Sequence, residues 1–204
     1  MENNLEIKKK LSLSDLINKN RVTRQVSELD AEIIITLLQS LDFFVSKKFN
    51  IFTQEQIFRA QASGEVAPML FELRQHWYKD TSIIDEFISE SQTKEQRVID
   101  LLLSWKRFIH DEFIFIKMFP ECAVIQNTKT QQYYSILGLN SDFDEIFPSN
   151  QVRLIQTTLL PFFDKIVWDG LIQTSQGMFN PSFAKELVES CKNARRKGLL
   201  ITSI

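Results

Sequence analysis

The sequence predicts an α+β protein: a helical N-terminal half followed by a small antiparallel sheet with one C-terminal helix. Turn-forming residues are unevenly distributed, since residues 1–112 contain one glycine and one proline, whereas residues 113–204 contain four of each. The first part shows apolar residues at helical spacing, and the second shows short apolar runs typical of strands. We therefore predict a helical domain over residues 1–112 and an α+β domain over residues 113–204.

The helical half carries recognisable start signals. Ser27 and Asp30 resemble a capping box at the start of a helix over residues 28–48. Thr53 and Gln56 form a second capping box, which begins a shorter helix. Apolar residues of the first helix recur on one face: Ile33, Ile34, Leu37, Leu38, Leu41, Phe44 and Val45.

The strongest apolar stripe predicts a helix over residues 94–110, with Arg107 and His110 in its last turn. Its apolar positions are Val98, Leu101, Leu102, Trp105, Phe108 and Ile109. Cations near a helix C-terminus interact favourably with the helix dipole, which explains both residues structurally. The functional alternative makes His110 a catalytic base and Arg107 a binding residue, because imidazole titrates near neutral pH.

The second half changes to the period of strands. We predict strands over residues 113–118, 123–127, 132–137, 152–160, 165–171 and 199–203. Asp169 and Gly170 suggest a turn or bulge at the end of the fifth of these strands. Asn180 followed by Pro181 predicts the start of a C-terminal helix, which Gly198 ends.

Composition excludes several functional classes. The net charge is −2 and the two cysteines have no zinc-binding spacing. Glycine-rich phosphate loops and metalloprotease motifs are missing from the sequence, so we predict no cofactor and no metal site. The apolar runs are too short for a membrane span, and no signal peptide is recognisable, so we expect a cytoplasmic location.

A few charged residues are candidates for chemistry. Asp164 and Asp169 flank a predicted strand, and paired carboxylates there are the candidates for metal-dependent hydrolysis. Trp168, beside Asp169, is a candidate binding residue. The acidic loop that includes Asp142 lacks the ligand number and the glycine of a calcium loop, so we interpret it as a solvated turn.

The second half also resembles a known pattern. Its segments include FIFIKMF, YYSILGL, LIQTTLLPFFDKIVWDGLI and GLLITS. This series resembles a family of uncharacterised bacterial proteins, and the matching residues are 157–162, 165–172 and 200–203. The resemblance covers residues 113–204 and implies no activity and no catalytic residues.

Three functional classes stay open. The first is a non-enzymatic protein-interaction or regulatory module, which the missing catalytic motifs and the 17 phenylalanines favour. The second is a metal-dependent hydrolase or nuclease that uses the strand-end carboxylates. The third is a nucleic-acid binder, for which the basic N-terminal tail around residues 8–10 and the segment 53–77 are the candidates.

Overall fold

The computed structural model describes residues 24–139, 143–147, 151–175 and 179–204. The basic N-terminal tail and Asp142 of the acidic loop lie outside this part of the chain. Among the described helices, none combines the length and the apolar character that a membrane crossing requires.

The N-terminal half is helical, as predicted. Helix α1 begins after Ser27, whose side chain accepts a hydrogen bond from the Asp30 amide at 3.1 Å. Helix α2 begins with the predicted capping box of Thr53 and Gln56. The bounds are α1 Glu28–Phe49, α2 Gln54–Ser63, α3 Val66–Lys79, α4 Ser82–Ser91 and α5 Gln96–Ser104, followed by a 3-10 turn over Trp105–Arg107.

The last helix of this half ends earlier than its apolar stripe predicts. Phe108 adopts an extended conformation (φ −52°, ψ 155°), and its ring packs 5.4 Å from that of Trp77 and 4.8 Å from that of Tyr78. Phe108 therefore continues the apolar contact without continuing the helix. The interpretation of His110 as a helix C-terminal cation is wrong, because His110 lies in the first strand.

A mostly antiparallel six-stranded sheet follows, which confirms the α+β class. The strands are β1 Ile109–Met118, β2 Ala123–Asn127, β3 Tyr133–Ile136, β4 Arg153–Phe162, β5 Lys165–Thr174 and β6 Leu200–Ile201, in the order β5-β4-β1-β2-β3-β6. Helix α6 (Phe143–Ile146) and the C-terminal helix α7 (Pro181–Arg196) complete the described part. The short β6 pairs with β3 in parallel, whereas an antiparallel sheet was predicted.

The sheet curls until β3 and β5, which are not neighbours in the strand order, meet. The Leu137 amide donates to the Ile166 carbonyl at 2.9 Å, just beyond the end of β3. One face of the curl encloses an aromatic core: Phe113, Phe115, Phe143, Phe147 and Trp168. Helix α7 packs on the other face through Cys191 and its neighbours.

The N-terminal helices pack on the β4–β5 side of the sheet. Leu160, Phe162 and Val167 belong to the same hydrophobic cluster as Trp77 and Trp105 of the helical half. The predicted boundary at residue 113 lies within β1, and this cluster takes residues from both sides of it. The division into two domains stays a prediction.

Strand β5 contains a bulge at its middle, where a turn or bulge was expected at its end. Leu159 pairs with Trp168, but Thr157 pairs with Ile172, so β5 has extra residues over 169–171. The Leu171 amide donates to Asp169 Oδ1 at 3.0 Å, and Gly170 adopts φ +86°. The bulge turns Asp169 toward the helices, and bulges commonly redirect a side chain in this way.

We expect Gly170→Ala to lower the free energy of unfolding by about 1–2 kcal/mol, because a side chain disfavours the left-handed region. A Cβ at Gly170 would have no atom within 4 Å, so the cost is conformational. Gly64→Ala is the matched control, since Gly64 also has positive φ (+75°) and free space. Denaturant unfolding of both variants measures the costs, and a neutral Gly170→Ala beside a destabilised Gly64→Ala would contradict this account.

Candidate functional site

Three charged side chains meet in the interior between the helices and the sheet. Asp42 of α1, Arg74 of α3 and Asp169 of β5 have side chains only 4%, 5% and 1% exposed. Arg74 Nη1 donates to Asp169 Oδ2 at 2.9 Å and to the Asp169 carbonyl at 2.7 Å. Arg74 Nη2 and Nε donate to Asp42 at 3.2–3.4 Å. We call Asp42, Arg74 and Asp169 the charged cluster.

Two members of the charged cluster, Asp42 and Arg74, lie at positions where apolar residues would be expected. Asp42 shares the buried face of α1 with Leu38, Leu41 and Val45. Arg74 lies between Leu73 and Trp77 among the buried residues of α3. Side chains three and four positions apart share one helical face, so both charges must enter the core.

The charged cluster holds two carboxylates and one guanidinium, a net charge of −1. Burial raises the pKa of Asp42 to about 6, although Arg74 acts in the opposite direction. Burial alone would lower the pKa of Arg74, but the charges of Asp42 and Asp169 outweigh burial and raise this pKa above its ordinary value. Arg74 therefore stays protonated. The guanidinium therefore compensates the Asp42 charge only in part.

A chain of hydrogen bonds connects Asp169 to His110. The Asp169 carboxylate accepts a hydrogen bond from Tyr78 Oη at 2.7 Å, and Tyr78 accepts one from Thr158 Oγ1 at 2.7 Å. Thr158 in turn lies 2.9 Å from His110 Nδ1, which must donate because the threonine proton is already used. His110 Nε2 then accepts from the Gln156 amide at 3.2 Å. Because a carboxylate only accepts hydrogen bonds, Asp169 sets the donor and the acceptor in each successive bond of the series.

The shifts in the pKa values of Tyr78 and His110 agree with these hydrogen-bond directions. Burial and the Asp169 charge raise the pKa of Tyr78 well above its ordinary value, so its hydroxyl keeps its proton. Burial lowers the pKa of His110, which favours the neutral imidazole that accepts at Nε2. The ring of His110 also stacks on that of Tyr78 at 4.9 Å.

Two cavities open at the ends of this network. The junction cleft has a volume of about 230 Å³ and touches the charged cluster. Its other polar lining comes from Gln39 and Gln61, and its apolar lining includes Ile35, Leu38, Leu70 and Leu139. The His110 groove has a volume of about 350 Å³ and is lined by Phe71, Glu72, Gln75, His110, Gln156 and Gln173.

The structure brings together three of the five candidates and separates the other two. Asp169 belongs to the charged cluster, and His110 is joined to it through Thr158 and Tyr78. Asp164 is exposed in the β4–β5 turn, five residues from Asp169, or roughly 16 Å along a strand. Arg107 is exposed in the 3-10 turn. Trp168 is buried with its ring centroid 5.5 Å from that of Phe143, and it also lines the junction cleft beside Asp169.

Metal-ligating side chains do not gather in groups of three or more within the described ranges. The Asp169 carboxylate already accepts from Arg74, Tyr78 and the Leu171 amide. The two cysteines, Cys122 and Cys191, are buried with pKa values raised first by burial, which makes both thiols poor nucleophiles.

Four residues of the site were missed at the level of sequence: Asp42, Arg74, Tyr78 and Thr158. The signal for Asp42 and Arg74 was present, because each is a charge on the apolar face of a helix. Tyr78 and Thr158 gave no comparable signal, since both are ordinary residues at the edge of a core.

Searches against protein-family models, curated proteins and solved structures find no match for this chain. The resemblance of residues 113–204 to an uncharacterised bacterial family stays a prediction.

Proposed function

We propose that the protein is a non-enzymatic regulatory module that binds a small ligand in the junction cleft. The observation that carries this proposal is the position of the charged cluster, which lines a cleft whose other walls are largely apolar. Small-molecule sites commonly combine apolar walls with a few convergent polar groups. The cleft is small, so the ligand is small as well.

The contacts of the carboxylates favour binding over catalysis. A hydrolase of the predicted kind needs Asp164 and Asp169 at one substrate, but Asp164 lies in an exposed turn at the end of the strand. Asp169 already accepts hydrogen bonds from Arg74, Tyr78 and the Leu171 amide, so its oxygens have little capacity left to coordinate a metal ion. The alternative of a metal-dependent hydrolase or nuclease therefore has less support.

The location of the cleft supports a regulatory role. Its lining comes from α1, α2 and α3 and from β5, so a bound ligand contacts both the helices and the sheet. A ligand that binds only the assembled form stabilises that form. We propose that a protein partner recognises the ligand-stabilised form. Exposed aromatic residues such as Phe58 and Phe163 are available for contact with this partner.

A screen of small organic fragments of mixed charge, followed by NMR, tests the proposal. Fragments that bind should shift the backbone amides of residues 169–171 and of Asp42. Gln39→Trp places a large side chain at the cleft and should weaken binding at least tenfold. Gln54→Trp adds the same side chain at an exposed position of α2 outside the cleft lining and should leave binding unchanged.

Two outcomes would count against the proposal. In the first, no fragment shifts the cleft amides. In the second, fragments bind Gln39→Trp as well as they bind the Gln54→Trp control, which would place the binding site elsewhere.

A further inference from the structure

We infer that the ligand of the junction cleft is a small primary amine, bound as an alkylammonium ion by Asp42. This inference rests on the proposed function and adds the chemical class of the ligand. It follows from the hydrogen-bonding capacity that the charged cluster has left over and from the sign of its net charge.

The donors of Arg74 are nearly all used within the protein. Nη1 donates both of its hydrogens to Asp169, one to the carboxylate and one to the carbonyl. Nε donates to the Asp42 carboxylate, and Nη2 donates one of its hydrogens to Asp42 Oδ2. A guanidinium has five N–H donors, so about one is left for a ligand. An anionic ligand would therefore find few donors and two carboxylates.

The acceptors are unequally satisfied. Asp169 accepts from Arg74 and Tyr78 at Oδ2 and from the Leu171 amide at Oδ1, all at 2.7–3.0 Å. Within the described part of the chain, the hydrogen bonds to Asp42 come from Arg74, and they are long, at 3.2–3.4 Å. A carboxylate has about four acceptor positions, so Asp42 keeps capacity for further donors at the cleft.

An ammonium group matches this site in charge and in the number of its donors. It has three N–H donors, and the cleft offers acceptors at Asp42 and at the amide oxygens of Gln39 and Gln61. Its single positive charge brings the net charge of the charged cluster from −1 to zero. A short alkyl chain suits the apolar walls, which include Ile35 and Leu70.

Binding of the ammonium should depend on pH, because it requires the ionised form of Asp42. The charges that face Asp42 are Arg74 from α3 and Asp169 from β5, and burial raises the pKa of Asp42 to about 6. With that pKa, roughly a tenth of Asp42 is ionised at pH 5 and roughly nine tenths at pH 7. We expect affinity to rise about tenfold between these pH values.

Three ligands of nearly equal size and different charge test the inference: butylammonium, 1-butanol and butyrate. Their dissociation constants are measured by NMR titration of the cleft amides at pH 5 and pH 7, in the full chain. Butylammonium should bind at least tenfold more tightly than either analogue at pH 7. Asp42→Asn should abolish this preference, whereas Asp100→Asn, the same change on an exposed face of α5, should retain it.

Each result has a definite meaning. Equal or tighter binding of 1-butanol or butyrate in the cleft overturns the amine inference but leaves a ligand-binding module. Absence of amide shifts with all three compounds overturns the amine inference, and the ligand-binding module is overturned with it only where the fragment screen also shifts no cleft amide. If Asp42→Asn is folded, as judged by its amide spectrum, and still prefers butylammonium, another residue recognises the charge. This result also overturns the inference.

Discussion

Replacing Arg74 with methionine is expected to lower the free energy of unfolding by about 3–5 kcal/mol. The substitution leaves Asp42 and Asp169 buried without a counter-charge, and it removes the donors that connect α3 to both α1 and β5. Loss of one partner from a buried ion pair is costly mainly because the remaining charge stays desolvated. Urea or thermal unfolding at pH 7 measures the effect.

Arg59→Met is the matched control for this experiment. Arg59 forms an ion pair with Glu55 on the surface of α2, where its side chain is 78% exposed. We expect Arg59→Met to change the free energy of unfolding by no more than about 0.5 kcal/mol, because exposed ion pairs contribute little to stability. Adding Asp42→Asn to Arg74→Met should restore part of the lost stability, because it removes one of the two unpaired charges. If Arg74→Met costs no more than Arg59→Met, the charged cluster does not stabilise the fold.

Asp42→Asn is expected to stabilise the protein at neutral pH, by up to about 3 kcal/mol. The pKa of Asp42 is raised from 3.8 to about 6, chiefly by burial. Between these values the folded state holds a proton that the unfolded state has released. The Asp42 contribution to stability therefore falls as pH rises from about 4 to about 6, and the variant avoids this loss.

The measurement compares unfolding of wild type and Asp42→Asn from pH 4 to pH 8. The difference in stability should be small near pH 4 and should grow in favour of the variant until about pH 6. His110 contributes with the opposite sign, because its pKa is lowered by burial and its stabilisation is lost as pH falls below about 6.5. That contribution is common to both proteins, and Asp100→Asn controls for the change in net charge. A difference independent of pH would show that Asp42 has no raised pKa.

Much of the fold could be predicted because the local signals agree with the tertiary structure. The caps at Ser27 and Thr53 mark the observed starts of α1 and α2, and the apolar runs mark the strands. The prediction failed at residues 105–110, where the helical stripe continues in sequence although the helix ends. Phe108 satisfies the same apolar contact from an extended conformation, and periodicity cannot distinguish the two.

The site could be predicted only in part. Asp169 was a candidate because it and Asp164 flank a predicted strand, and Asp169–Gly170 also suggested a turn or bulge there. Its partners Arg74 and Tyr78 lie 95 and 91 residues away, and a single sequence carries no record of such pairing. The charges within the apolar faces of α1 and α3 were the available sign, since a buried charge requires a partner.

The long separation between Arg74 and Asp169 has a consequence for how the chain is made. The ribosome synthesises α1 and α3 before β5. Asp42 and Arg74 are therefore made before Asp169, which follows Arg74 by 95 residues in the sequence. The helices then carry one guanidinium and one carboxylate, a balanced pair. Only the arrival of β5 brings the second carboxylate, and with it the unbalanced charge in the finished core. The pair of Asp42 and Arg74 is thus formally neutral by itself, and the site can become negative only after β5 has been synthesised.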